Sequence, residues 1–419
     1  MRYTVSSGKL ASASLALAFL ATIPAHAASK PAAEAAAENP AHPQTYRIAG
    51  GDRRSFNYDA RAEIQGYAQL VADSYAAALS DAQVLSSAIN AFLATPNDET
   101  MSRARDAWIN ARRSWELTEA FRFYDGPIDF ADNAPGPLTR VDGWPVDPSA
   151  IDYVDDNPTA GIVNNMKQAL TKATLTGHTG KGPPTPHPVI TGWHAIEFLL
   201  WGQEPNSATG EAGDRPVTDY LPGQPNNDRR RTYLKLTSDM LIEDLKYLVE
   251  SWDPKSQNSY AAAFRVLNQR EAVGRIMNGV GQLAGQELAN KRLAAALDAK
   301  DRKLLTSRFS ATSYQDLVFA LRGVRNVWSG DRGGTTRPGL GVLVGRTDPA
   351  LAQKILHALN HAEESVALLH TPLERETLPA PANSPAREGA ERAIADLKQL
   401  AGLLRDAGAK LGVTVFLPN

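Results

Sequence analysis

Apolar residues recur every three to four positions along most of the chain, which is the period of an amphipathic helix. The first such stretch runs from Ala62 to Leu93 with a pause at Asp81, and the next carries Trp108, Trp115 and Phe123. Further helices are predicted near 161–175, 189–201, 233–252, 260–273, 276–297, 314–328, 351–369 and 388–407. No stretch alternates strictly between apolar and polar residues, as a half-buried strand would. The pattern predicts an all-α fold.

Two polar segments rich in glycine and proline, 126–160 and 203–226, interrupt the helices. The second segment is the best domain boundary. We therefore expect two packed helical-bundle domains, an N-terminal bundle at 51–215 and a C-terminal bundle at 225–419. Long loops in compact domains are often functional, and both segments flank the strongly apolar stretch 189–201.

The N-terminus has the three parts of a secretory signal. Arg2 and Lys9 are positive, residues 10–23 are apolar, and Ala25-His26-Ala27 matches the small-residue pattern before a cleavage site. We predict a signal peptide at 1–27, a disordered lead-in at 28–50, and a periplasmic mature chain. An uncleaved interfacial anchor is the alternative. No later apolar run reaches the length of a membrane-spanning helix, so a membrane-spanning protein is not expected.

Composition narrows the function classes. The 419 residues include 44 Lys and Arg against 46 Asp and Glu, a near balance that argues against a nucleic-acid surface. The chain has no cysteine, which excludes disulfides, thiolate-bound zinc, thiol nucleophiles and a lipid anchor on cysteine. G-x-S-x-G and G-x-x-x-x-G-K-[ST] motifs are absent from the sequence.

The sharpest local feature is the run from Gly192 to Gln203, which reads GWHAIEFLLWGQ. His194 and Glu197 are three residues apart, so on a helix both side chains leave the same face. They can share a metal ion, or the carboxylate can orient the imidazole. A structural hydrogen bond between them is the simpler alternative. The run is not an H-E-x-x-H zinc motif, because it holds a single histidine.

Further ligands must come from other helices. Glu116 and Glu119 follow an apolar helical stretch, with Arg112 and Arg122 within about one turn. Carboxylates and imidazole together suit iron, zinc or manganese. The alternative for Arg112 and Glu116 is an exposed ion pair. His357, His361 and Glu364 are also helically spaced, but their stretch is an ordinary amphipathic one, and a solvated face is the favoured interpretation.

A cluster of hydroxyl and acidic residues opens the helix near 314–328. It comprises Ser307, Ser310, Thr312 and Asp316. Capping of the helix is one interpretation. The other is that this helix start faces His194 and Glu197 and helps to hold an anionic chelate or carboxylate, since helix N-termini attract anions.

At these motifs the chain resembles the imelysin family. Its G-x-H-x-x-E motif matches Gly192, His194 and Glu197, and similar blocks occur at 111–123, 144–154, 213–220, 281–292 and 307–330. The resemblance implies two related helical bundles with the motif near their interface, an association with iron acquisition, and the peptidase activity for which the family was named.

The site expected from the residues and the resemblance has two parts. His194, Glu197 and Glu119 are the expected metal ligands, for iron or zinc, and the expected ligand-binding residues are Arg112, Arg122, Asp152, Ser310 and Asp316. A zinc peptidase needs three protein ligands, an open position and a free base. The motif supplies at most two ligands, and a metal-bound Glu197 could not also be the base. We therefore expect binding of a metal ion or a small iron-containing ligand, with membrane-associated uptake partners, and keep a metal-dependent peptidase as the alternative.

Overall fold

Long helices make up most of the chain, which we describe from a computed structural model at residues 51–131, 134–177, 189–205, 210–369 and 373–417. The expected signal peptide and lead-in lie outside these residues. In the first half the α-helices are α1 (Arg61–Ala94), α2 (Asp98–Glu116), α3 (Leu138–Asp142), α4 (Pro148–Ile151), α5 (Gly161–Asn164), α6 (Lys172–Leu175) and α7 (Gly192–Trp201).

The second half is also mainly helical. It comprises α8 (Pro225–Ser251), α9 (Tyr260–Arg265), α10 (Gln269–Gln282), α11 (Ala295–Ala299), α12 (Ser313–Ser329), α13 (Leu340–Thr347), α14 (Pro349–Ala367) and α15 (Pro385–Lys410). A π-helical segment, Leu283–Ala294, joins α10 to α11 without a break, and Leu373–Thr377 is also π-helical. Short 3₁₀ turns occupy Arg53–Ser55, Glu119–Phe121, Val217–Tyr220 and Arg302–Leu304.

Extended structure is minimal in the described ranges. β1 (Phe130–Ala131) pairs with β2 (Ala134–Pro135), and β3 (Asp331–Arg332) pairs with β4 (Thr335–Thr336), both antiparallel. The all-α prediction is therefore confirmed. Within the same ranges, no helix combines the length and the apolar character needed to cross a membrane.

The helix starts follow from local chemistry. Asn97 accepts a hydrogen bond from the N–H of Thr100, whose hydroxyl accepts one from the N–H of Asn97, so a capping box opens α2. Asp348 and Ser384 cap α14 and α15 with their side chains. Proline occupies the first turn of α8, α14 and α15, where its missing N–H costs no helical hydrogen bond.

The helices pack so that α7 is enclosed. α1 packs along α2 and α8, and α7 contacts α2, α3 and α8. On the other side, α12 contacts α2, α14 and the π-helical segment, while α15 packs on α14 and on that segment. The indole N–H of Trp108 donates to the carbonyl oxygen of Trp193 at 2.9 Å, which ties α2 to α7 inside the core. The division into two bundles at 215–225 stays a prediction.

Several helix limits differ from those expected. α1 continues through Asp81 without a break, and α2 ends at Glu116 rather than at the turn after Phe123. The stretch near 161–175 forms two single turns, and α13 was not anticipated. α10, the π-helical segment and α11 form one rod, and the predicted helix at 260–273 is interrupted after Arg265. Apolar periodicity indicates which residues are buried, but it does not locate the residues at which a helix begins or ends.

Candidate functional site

The motif helix α7 is buried along its whole length, and its start is fixed by Gly192. Every residue from Gly192 to Trp201 is buried. Gly192 has a φ of +78°, and a side-chain carbon there would overlap the carbonyl oxygens of Arg140 and Val141 in α3. The close approach of the two backbones brings Asp142, at the end of α3, against His194. The first residue of the motif thus sets the distance between α3 and α7.

We expect Gly192→Ala to destabilise the fold by about 1–3 kcal/mol, because a left-handed φ is costly for alanine and the added carbon must push α3 away. Urea unfolding of the two proteins measures the loss. Gly389→Ala is the control, since a side-chain carbon at Gly389 meets nothing within 4 Å in the described chain. Gly389→Ala lies within α15 and should be neutral or slightly stabilising, whereas a Gly192→Ala variant as stable as the parent would contradict the role given to Gly192.

Both ring nitrogens of His194 face carboxylates. Nδ1 lies 3.2 Å from Oε2 of Glu197, and Nε2 lies 3.3 Å from Oδ1 of Asp142 and 3.3 Å from a guanidinium nitrogen of Arg112. Burial and the charge of Arg112 lower the pKa of His194, but the hydrogen bonds to Asp142 and Glu197 outweigh them and raise it above its usual value of 6.5. The imidazole is therefore held between two anions.

The start of α12 closes over Glu197. The backbone N–H and the hydroxyl of Ser310 each donate to Oε1 of Glu197 at 2.8 Å, and the hydroxyls of Ser310 and Thr312 lie 2.8 Å apart. Thr312 is the N-cap residue of α12, yet its side chain makes no capping hydrogen bond. These hydroxyls therefore serve the motif carboxylate and not the helix end.

Arg112 joins the acidic residues around His194. It forms ion pairs with Asp142, with Glu116 at 2.5 Å and with Asp316 at 3.5 Å. Asp316 also accepts hydrogen bonds of 2.6 Å from the hydroxyls of Thr306 and Ser307. The pairing of Arg112 with Glu116 has the helical spacing seen in the sequence, but both side chains are at most 3% exposed. It is an interior contact and not the exposed pair considered as its alternative.

Two further arginines pair with Glu119, and one of them lies in the π-helical segment, which is distant in the sequence. Arg122 pairs with Glu119 from the same turn. Arg292 donates to Oε2 of Glu116 at 3.0 Å and also pairs with Glu119. Extended π-helical stretches are rare and often occur at functional sites, and this one delivers a buried cation to carboxylates on the other half of the chain.

These contacts link nine residues, which we call the buried ion cluster: Arg112, Glu116, Glu119, Arg122, Asp142, His194, Glu197, Arg292 and Asp316. With all carboxylates ionised, five negative charges face three guanidinium charges, a net of −2, or −1 if His194 is protonated.

Burial raises the pKa of Glu116 and of Glu119, although the neighbouring arginines act to lower it. Although burial acts the same way on Asp142, Arg112 and His194 hold its pKa well below the usual range.

One part of the cluster has the spacing of a metal site. Glu116, Glu119 and Asp142 each present an oxygen, and these atoms lie within 4.8 Å of one another. Asp142 also borders Nε2 of His194. Carboxylate oxygen and imidazole nitrogen are accepted by iron and by zinc, so this donor set fits either metal. Glu197 contacts the other ring nitrogen of His194, Nδ1. A carboxylate in this position orients the imidazole of a metal-bound histidine.

Asp152 belongs to a different set of contacts. Its carboxylate is held by Arg215 at 2.9 Å and by Arg230 at 2.5 Å, and it accepts hydrogen bonds from Asn164 and from the N–H of Tyr153. The guanidinium of Arg215 lies 5.2 Å from the ring centre of Phe198 on α7. Asp152 therefore holds an arginine that packs on α7, whereas the other expected site residues lie in or against the buried ion cluster.

Sequence reasoning missed three residues of this region. Asp142 ends a five-residue helix inside a proline-rich segment, and no pattern marks it. Arg292 ends one of the blocks similar to the imelysin family, 281–292, but was not predicted as a site residue. Glu374 is buried, accepts a hydrogen bond of 2.6 Å from the hydroxyl of Ser313, and has a pKa raised to about 7, mainly by burial. Its segment follows a short polar stretch that predicted no element.

Comparisons with known proteins agree with this architecture. A family model described as imelysin matches residues 71–404. Iron-regulated protein A of Synechococcus elongatus is 24% identical over 342 residues, which cover 79% of this chain and 82% of that protein.

Two solved structures share the fold. A chain described as an iron-regulated protein A precursor from Parabacteroides distasonis has a TM-score of 0.64 at 18% identity, covering 87% of this chain and all of that one. An imelysin-like protein from Psychrobacter arcticum has a TM-score of 0.61 at 15% identity, covering 86% and 99% of the two chains. Together with the family match over most of the sequence, these likenesses show that the chain belongs to the imelysin family.

Proposed function

We propose that this protein binds a metal ion, or a small ligand that contains one, in the buried ion cluster, and that it serves iron acquisition in the periplasm after removal of residues 1–27. The leader sequence supports export, and a relative named iron-regulated protein A supports the link with iron. Residues 51–215 and 225–419 would be the two bundles on either side of the site.

The excess negative charge of the buried ion cluster carries this proposal. Ionised groups buried without a full complement of opposite charge are unstable, so the site must gain protons or a cation. The raised pKa of Glu116 and Glu119 expresses the first outcome. A divalent cation bound among Glu116, Glu119 and Asp142 would satisfy the same demand without protonation.

The residues then take distinct roles. Glu116, Glu119 and Asp142 would supply oxygens to the metal, and His194 would supply Nε2. Glu197, fixed by Ser310, would orient the imidazole through Nδ1. This assignment moves Glu197 from the expected metal ligands to a positioning role. Arg112, Arg122 and Arg292 would adjust the charge of the site.

The accessibility of the motif favours binding over peptide hydrolysis. His194 and Glu197 are 2% and 0% exposed, so neither a peptide bond nor a bulky chelate reaches them in this conformation, and a bare metal ion is the ligand that this burial favours. A zinc peptidase also needs a coordination position open to substrate. Peptidase activity therefore remains the alternative, supported by the family name alone.

Calorimetric titration of metal-free protein with ferrous iron and with zinc tests the proposal. We expect Glu119→Gln to weaken binding by at least about 10–100-fold, because loss of even an outer partner of a metal site typically has that effect. Glu63→Gln is the control, since Glu63 is also buried and paired with an arginine but lies outside the buried ion cluster. Equal metal affinity in the parent and both variants would reject the site.

A ferric chelate such as ferric citrate forms the second arm of this titration. Binding of the chelate with no binding of the free ions would identify a metal-containing ligand as the cargo. Cleavage of an unfolded protein substrate, lost with a chelator and restored by zinc, would instead favour the peptidase.

A further inference from the structure

The outer face of α14 carries three potential metal ligands in helical register. His357 and His361 are four residues apart, and Glu364 follows three residues later. Residues at these spacings share one side of a helix. His357 is exposed, and the side chains of His361 and Glu364 are 69% and 73% exposed. All three side chains are therefore open to solvent on one face.

The chemistry of the three groups suits a transition metal. Two histidines one helical turn apart form the ligand pair of helical zinc motifs, and zinc also accepts carboxylate oxygen. Nδ1 of His361 lies 3.7 Å from Oε2 of Glu364. This separation is too long for a hydrogen bond, but a small rotation of either exposed side chain would let the carboxylate bind the metal itself or accept the Nδ1 proton so that Nε2 is the ligand.

The helix that presents these side chains is held firmly from behind. Ile355, Leu359 and Ala362, on the opposite face of α14, are at most 1% exposed and pack in the core. Because the backbone is fixed by this packing, a metal does not have to order the helix when it binds. The two imidazoles leave one face of α14 a single turn apart, and rotation of these exposed side chains would bring both onto one ion.

The neighbouring charges leave Glu364 available. On α12, Arg325 pairs with Glu363 at 2.6 Å and donates to Asn360 at 2.7 Å, and Arg322 lies 3.9 Å from Glu363. Lys354 is exposed one turn before His357. The arginines that face α14 are thus directed to Glu363, and among the described contacts Glu364 has His361 as its ion partner.

We propose that His357, His361 and Glu364 form a surface site for a divalent transition-metal ion such as zinc, separate from the buried ion cluster and independent of its proposed function. Up to three protein ligands leave the remaining coordination positions to water. The site would therefore load and release metal from solvent without any movement of the helices.

Zinc titration of the full mature chain against a chromogenic chelator tests this site. We expect the double variant His357→Ala/His361→Ala to bind one zinc ion fewer than the parent. Glu364→Gln should lower the affinity of the site for that ion by about 10-fold or more, as expected for the loss of a ligand or of a residue that orients one. Gln353→Ala, an exposed substitution one turn before His357 on α14, is the matched control and should change nothing.

Two outcomes would overturn the proposal. The first is an unchanged zinc stoichiometry in the double variant. The second comes from electron paramagnetic resonance of the protein loaded with copper(II) in place of zinc. It is a spectrum in which the hyperfine coupling to nitrogen does not decrease when the two histidines are removed. Glu119→Gln must retain the surface ion. A loss of zinc from Glu119→Gln alone therefore reports on the buried ion cluster, so the two proposals fail separately.

Discussion

Arg112→Met is expected to lower the free energy of unfolding by about 3–5 kcal/mol, the usual result of removing one partner from a buried ionic network. Arg112 is 2% exposed and faces the carboxylates of Glu116, Asp142 and Asp316. Methionine fills much of the volume but leaves these groups with one positive charge fewer. Urea unfolding at neutral pH measures the effect.

The same helix provides the control. Arg103 pairs with Glu99 at the same helical spacing, but their side chains are 70% and 71% exposed. Arg103→Met should therefore lose at most about 1 kcal/mol. Adding Glu116→Gln to Arg112→Met removes one uncompensated charge and should recover part of the loss. Equal losses for Arg112→Met and Arg103→Met would show that the network contributes nothing specific.

Glu374→Gln is expected to stabilise the protein at pH 8 by up to about 3 kcal/mol, since each unit of pKa difference corresponds to about 1.4 kcal/mol. Burial, assisted by the charge of Glu197, raises the pKa of Glu374 from 4.5 to about 7 against the hydrogen bond from Ser313. The folded state thus holds the proton more tightly than the unfolded chain. This contribution to stability is complete below pH 4.5 and is lost as the pH rises through 7.

Glutamine cannot ionise, so the variant should escape this loss at pH 8 and gain little near pH 4.5. Unfolding in urea at both pH values gives the comparison. Glu376→Gln, an exposed substitution two residues along the same segment, should be neutral at both. A gain for Glu374→Gln that is the same at both pH values would contradict the ionisation of Glu374 as its cause.

The sequence anticipated the helical class and several members of the buried ion cluster for physical reasons that can be named. The spacing of His194 and Glu197 puts both on one helical face, and the structure joins them at 3.2 Å. Glu119, Arg112 and Arg122 stood out because charges on apolar helices need partners. Ser310 donates to Glu197, so this block does face the motif, whereas its part in holding an anionic ligand stays a prediction.

The other contacts of the buried ion cluster depend on tertiary packing, which local sequence patterns do not predict. Asp142 reaches His194 because Gly192 lets α3 approach α7, a contact between segments about 50 residues apart. The pairing of Arg292 with Glu116 requires the register of the π-helical segment. A helical spacing also does not indicate how deeply side chains are buried. For this reason an exposed ion pair was a reasonable alternative for Arg112 and Glu116.

The contacts of Arg292 also bear on the order of folding. Glu116 and Glu119 precede this arginine by 176 and 173 residues. A chain that folds from its N-terminus as it emerges has both acidic residues in place long before Arg292 arrives. Until then Glu116 has Arg112 and Glu119 has Arg122 as its cluster arginine, and the second arginine of each carboxylate is still missing. The ion pairs of Glu116 and Glu119 are therefore completed only when the second half of the chain folds against the first, and a fragment ending near residue 215 would lack Arg292.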